Sequence, residues 1–90
     1  MLKLVISSVF KREYKKTVKQ SVEDSLLIGQ VVGHLRQGVQ LPPSYLDHAL
    51  TGNFKGFREC HIKPDLLLIY KVNGNELQLA RLGSHSELFS

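Results

Sequence analysis

Ninety residues suffice for one domain, near the lower end of what a single hydrophobic core supports without cross-links, so 1–90 reads as one unit. Cys60 is the only cysteine, which excludes an internal disulfide and a zinc site of the CxxC type. Twelve Lys and Arg against eight Asp and Glu leave a net charge of +4, which favours a polyanionic partner such as nucleic acid, or an acidic protein.

The opening MLKLVISSVFK carries too few apolar residues for a signal-peptide core or a membrane span, and it predicts a first strand in a cytoplasmic protein. Ser7 or Ser8 then caps a first helix, whose apolar stripe is Phe10, Tyr14 and Val18. The rest of that helix holds Lys11, Arg12, Lys15, Lys16 and Lys19: a solvated face, or a ridge that tracks phosphates. Ser21, followed by Glu23 and Asp24, opens a second helix. Val22, Leu26, Leu27, Val31, Val32 and Leu35 are expected to form its buried face, and Gly38 to end it.

Residues 40–55 are the longest irregular stretch, punctuated by Pro42-Pro43 and Gly52-Asn53, and loops of this length tend to be functional. Three strands are predicted after it, over 57–62, 66–72 and 76–82, the last two joined at Asn73-Gly74 because both positions tolerate positive φ. The tail from Gly83 to Ser90 is polar but ends in Leu88-Phe89. The predicted order is βααβββ: an α+β domain with a helical hairpin packed on one face of a small, largely antiparallel sheet.

Alternation along the first of these three strands puts Phe57, Glu59 and His61 on one face, with Cys60 and Ile62 toward the core. His48 stands in the long loop and His85 just beyond the last strand, while Asp65 follows a Pro64 turn and Arg81 ends the last strand. Imidazoles exchange protons at neutral pH, and an arginine fork matches phosphate oxygens. A ribose 2′-hydroxyl is an internal nucleophile, so RNA cleavage requires only a base, an acid and a cation, with no cofactor or metal. Two other readings use the same residues. One is a domain that binds nucleic acid or an acidic partner without cutting; the other is a metal site of His48, His61, His85 and Asp65, although their scattered positions lack structural-zinc spacing. Strand parity also groups Arg81 with Leu77 and Leu79, which look buried, so the last strand is expected to twist or fray before it.

The runs DHALTGNFKGFRECHIKPD (Asp47–Asp65), LIY (Leu68–Tyr70) and RLGSHSELF (Arg81–Phe89) strongly resemble the YafQ-like branch of the RelE superfamily, toxins of bacterial type II toxin–antitoxin systems. The resemblance implies the RelE-like fold and an mRNA endonuclease that works on translating ribosomes. It implies catalytic roles for His48, His61 and His85, an acid at Asp65, a phosphate-binding Arg81 and an aromatic, Phe89, near the cut. Glu59 stands where many members have Asp, and is expected to meet substrate. A cognate antitoxin, acidic and encoded adjacently, is the expected partner, wrapping the basic surface along Lys11, Lys15 and Lys19; the same lysines are candidates for holding RNA.

Overall fold

A computed structural model describes residues 1–89. The element order is β1 (Lys3–Ile6), α1 (Ser8–Gln20), α2 (Val22–Arg36), β2 (His48–Ala49), β3 (Arg58–Lys63), β4 (Leu66–Asn73), β5 (Glu76–Gly83) and α3 (His85–Phe89). The strands form one five-stranded sheet in the order β1-β5-β4-β3-β2, in which only the β1–β5 pair is parallel. The hairpin of α1 and α2, with the loop after it, carries the chain from β1 at one edge of the sheet to β2 at the other, and β2 to β5 then return antiparallel until β5 lies beside β1. This is the predicted α+β architecture, with two additions: the two-residue β2 inside the long loop, and a helix in the tail.

Local signals place the helices. The Ser7 side chain accepts from the Phe10 amide and starts α1, and the Ser21 side chain accepts from the Asp24 amide and starts α2. Gly38, with φ +73, follows the end of α2. The buried stripe of α2 is Ile28, Val31 and Leu35, while Val22 and Leu26 are 69% and 64% exposed. At about 100° per residue, those two project from the side of the helix opposite that stripe. The expected buried face was therefore wrong at its N-terminal end. Similarly, Phe10 is buried but Val18 is exposed, because an i, i+4, i+8 series drifts around the helix.

The hairpin turn also sits one residue later than predicted. Asn73 pairs with Glu76, so the turn is Gly74-Asn75, with φ +61 at Gly74 and no positive φ at either Asn. A glycine at the first central position is the type II′ pattern, in which one residue supplies the positive φ.

Both faces of the sheet are covered. On one, Phe10, Ile28, Val31 and Leu35 pack against Cys60, Ile62, Leu68, Tyr70, Leu77, Leu79 and Leu82. On the other, Leu67, Ile69 and Leu88 are buried beneath Leu50, Phe54 and Phe57. Leu66–Tyr70 of β4 is consequently buried throughout, and the titratable groups on the second face lie around an apolar floor.

Arg81 escapes strand parity through a bulge. Tyr70 pairs with Leu79 but Ile69 pairs with Arg81, leaving Ala80 unmatched on β5. The extra residue keeps Leu79 and Leu82 together in the main core and turns Arg81 away from them. The strand does not fray before Arg81; it stays paired to Gly83.

Candidate active site

The register across the sheet assembles the site. His48 pairs with Glu59, Glu59 with Ile69, and Ile69 with Arg81, making one row across β2, β3, β4 and β5. The neighbouring row is His61, Leu67 and Gly83. Glu59 and Arg81 are thus two strand spacings apart, about 10 Å.

Among the described residues Glu59 is the one charged residue in the core, only 3% exposed. Its Oε1 receives two imidazoles: His61 Nε2 lies 3.2 Å away and His48 Nε2 lies 3.7 Å away. Glu59 was expected to meet substrate; its side chain is instead buried, with its carboxylate turned to the two imidazoles. His48 is fixed at its other nitrogen, where Nδ1 donates to the Leu46 carbonyl at 2.7 Å. That hydrogen bond turns Nε2 toward Glu59. Leu46 is the only described non-glycine residue with positive φ, at 50°, and this left-handed backbone aims its carbonyl. Asp47 then anchors the start of β2: Oδ1 accepts from Arg58 Nε at 2.6 Å and Oδ2 accepts from the Tyr70 hydroxyl. Burial, then the Asp47 hydrogen bond, raises the Tyr70 phenol's pKa, and the same carboxylate raises that of the Arg58 guanidinium. The Cys60 thiol, fully buried on the opposite face, is pushed up to about 12 by desolvation and is chemically quiet.

His85 arrives on α3. Its ring centroid is 6.4 Å from that of His61 and 5.2 Å from that of Phe89, and Phe89 meets Phe54 edge-on at 5.9 Å. Asp65 Oδ1 accepts the His85 backbone N–H at 2.9 Å, so this carboxylate holds the helix start. A capping box completes the anchor: Glu87 Oε1 accepts the Ser84 N–H at 2.8 Å, and Ser84 Oγ accepts the Glu87 N–H at 3.2 Å. Lys16 of α1 pairs with Glu87 Oε2 at 3.2 Å. The signal for this helix was present in the sequence as Ser84-x-x-Glu87.

The box explains Gly83. A Cβ there would lie 2.9 Å from Glu87 Oε1, so Gly83→Ala should drive the carboxylate from its cap at a cost of about 1 kcal/mol and loosen the start of α3. Acid should do the same. The Ser84 amide, then Lys16, hold the Glu87 carboxyl below its ordinary range, so its capping is intact above that range and is lost as pH falls through the lowered value. Side-chain NMR signals of His85 and Phe89, followed through an acid titration of wild type and Gly83→Ala, check both; ordered α3 signals in the variant at neutral pH would contradict this account.

Arg81 is held by a residue that the sequence reading passed over. Glu13 of α1 receives Arg81 Nη2 at 2.9 Å and Arg81 Nε at 3.2 Å. Lys11, Lys15 and Lys19, by contrast, are exposed on α1 and make no ion pair among the described residues. The structure therefore gathers His48, Glu59, His61, Asp65, His85 and Phe89 and places Arg81 in the same row, while the three lysines remain outside the cluster. Beside His61 an open cleft of about 500 Å³ runs along Tyr45, Leu46, Lys63 and Pro64. Among the described residues no group of three or more His, Cys, Asp or Glu is arranged to hold a metal ion.

Two imidazoles on one buried carboxylate, a third beside His61 and an open cleft along His61 make an arrangement capable of acid–base chemistry. Comparison with known proteins supplies the family: residues 2–90 match the family model described as the bacterial toxin of type II toxin–antitoxin system, YafQ. The chain belongs to the YafQ toxin family. The mRNA interferase toxin YafQ of Escherichia coli (strain B / BL21-DE3) is 32% identical over 92% of this chain and 90% of its own length. A copper-bound mutant toxin from Helicobacter pylori superposes with a TM-score of 0.91 at 48% identity, over 99% of this chain and all 100% of that one. The YafQ of an E. coli DinJ–YafQ complex superposes with a TM-score of 0.89 at 31% identity, each chain covered 100%. The helical hairpin on a mostly antiparallel sheet is the fold that these toxins share with this chain.

Proposed function

We propose that this chain is the toxin of a type II pair and an mRNA endonuclease that cuts without a metal. The observation that carries the reading is the Glu59 oxygen shared by His48 and His61, with His85 facing His61 at 6.4 Å. One imidazole takes the proton of the ribose 2′-hydroxyl, whose oxygen attacks the adjacent phosphorus. The P–O5′ bond breaks, a second imidazole protonates the departing 5′ oxygen, and the products are a 2′,3′-cyclic phosphate and a 5′-hydroxyl. Glu59 orients the two rings from below, Asp65 sets the place of His85, and Arg81 stabilises charge on the equatorial phosphoryl oxygens. Phe89, 41% exposed at the edge of the cluster, offers a ring on which a base stacks.

The relatives supply the setting. One is called an mRNA interferase and another is seen in a DinJ–YafQ toxin–antitoxin complex, which supports a cognate antitoxin as the restraint on this chain. Our reading adds that the antitoxin is small and encoded beside this chain, that the substrate is mRNA on the ribosome, and that the cytoplasm is the site of action. Lys11, Lys15 and Lys19 present the antitoxin, or the RNA, with an exposed basic ridge. No described helix is long and apolar enough to cross a membrane.

Purified protein incubated with end-labelled mRNA, with and without ribosomes and with and without excess EDTA, tests the reading. Cleavage that persists in EDTA and leaves cyclic phosphate ends is expected. Since one H. pylori relative binds copper, loss of cleavage in EDTA that one added metal restores would replace proton transfer with metal chemistry.

A further inference from the structure

We infer that Glu13 is a positioning residue for Arg81, presenting one edge of its guanidinium to the phosphate. The inference rests on the proposed role of Arg81 and deepens it. A guanidinium has five N–H donors in a rigid plane, enough for two bidentate edges. Glu13 occupies one of them, taking Nε and Nη2 through Oε2 at 3.2 and 2.9 Å, with Oε1 also 3.2 Å from Nε. The edge formed by Nη1 and the second Nη2 hydrogen is left for a phosphate oxygen pair.

Glu13 is also tied to the feature that frees Arg81 from the core. Its Oε1 accepts the Leu82 backbone N–H at 2.9 Å, just after the unmatched Ala80. β1 ends at Ile6, and Ser7 bonds the Leu79 and Ala80 carbonyls, so on the edge of β5 away from β4 no strand remains to pair beyond that point. A carboxylate from α1 takes over as acceptor. One side chain thus fixes the backbone of the bulge and the plane of the guanidinium that the bulge exposes. With 28% of the Arg81 side chain and 21% of Glu13 exposed, the pair is only partly screened by solvent, and its geometry is held on both sides. An arginine on a free four-bond stem would have to be ordered at each turnover; here that cost has been met on folding.

The alternative sign is equally definite. If Glu13 competed with phosphate for Arg81, removing its charge would speed the reaction. Glu13→Gln separates the possibilities, because its amide oxygen still accepts from Leu82 while the charged two-point grip on Arg81 is lost. We expect an unchanged thermal midpoint, a fall in kcat of about 10- to 10²-fold, and far less change in affinity for an RNA oligonucleotide with a 2′-deoxy substitution at the cut. In wild type the Arg81 Nε–H should give a slowly exchanging NMR signal that survives addition of this uncleavable oligonucleotide; in Glu13→Gln it should exchange quickly. Glu13→Gln combined with Arg81→Ala should cut no more slowly than Arg81→Ala alone, because one residue acts through the other.

Faster cleavage or tighter binding by Glu13→Gln overturns the inference, as does an additive loss in the double variant or displacement of the Nε–H signal by the oligonucleotide. A wild type that binds RNA without cutting it refutes the nuclease reading alone, leaving binding and the Nε–H signal to decide on Glu13. A wild type that binds no RNA overturns both.

Discussion

His85→Ala should slow RNA cleavage by about 10²- to 10⁴-fold, the loss of one acid–base group, while leaving the fold intact. The residue is exposed, and what ties it to the protein is its backbone: the N–H that Asp65 accepts at 2.9 Å survives the substitution. Its ring centroid lies 5.2 Å from that of Phe89 and 6.4 Å from that of His61, and Phe89 is itself exposed. Alanine suits a helix, the capping box of Ser84 and Glu87 is untouched, and stability should stay within about 0.5 kcal/mol of wild type. RNA affinity should change far less than rate, because the cations that meet phosphate remain. Cleavage rate, RNA dissociation constant and thermal midpoint, measured on both proteins, decide the matter. An unchanged rate removes His85 from the mechanism, and a lowered midpoint makes it structural.

The parts of the molecule legible in the sequence are those fixed by short-range rules. Ser7 and Ser21 cap because a side-chain oxygen reaches an amide three residues on, and the three strands after the loop show their alternation and their apolar run. The candidate residues could be named, but their juxtaposition depends on register, which no local pattern carries. His48 meets Glu59 only because β2 adds to the edge of β3, and two residues give almost no periodicity from which to infer a strand. The Ala80 bulge is set by the fit of β5 between β1, α1 and β4, so parity reasoning about Arg81 was bound to mislead. Glu13 is a single acid in a basic helix, and its meaning comes from a partner 68 residues away. Val22 and Leu26 failed as core residues for a related reason: which side of α2 is buried depends on where α1 and the sheet lie.

Glu59→Gln should separate activity from stability in the opposite direction to an ordinary core change. The carboxylate is 3% exposed over Leu67 and Ile69, a place where charge is costly to hold. Breaking a buried ion pair usually destabilises because the surviving charge is trapped. Neither partner is trapped here, since the His48 side chain is 51% exposed and the His61 side chain 17% exposed, and both rings have uncharged forms. The amide is isosteric, keeps one acceptor for an imidazole and removes the buried charge. We therefore expect a thermal midpoint equal to or above that of wild type. The rings should fare worse: a single amide oxygen with no charge cannot hold two Nε2 atoms as the carboxylate does, and a misplacement on the order of 1 Å at a proton-transfer group costs about 10²-fold in rate. A cleavage assay beside a thermal melt reads both quantities. A clear drop in midpoint would make Glu59 a structural keystone of β3, and full activity would show that His48 and His61 keep their places without it. Slower cleavage in a protein at least as stable is the expected result, and it is the mark of a carboxylate retained at a cost in stability for what it does to the two imidazoles above it.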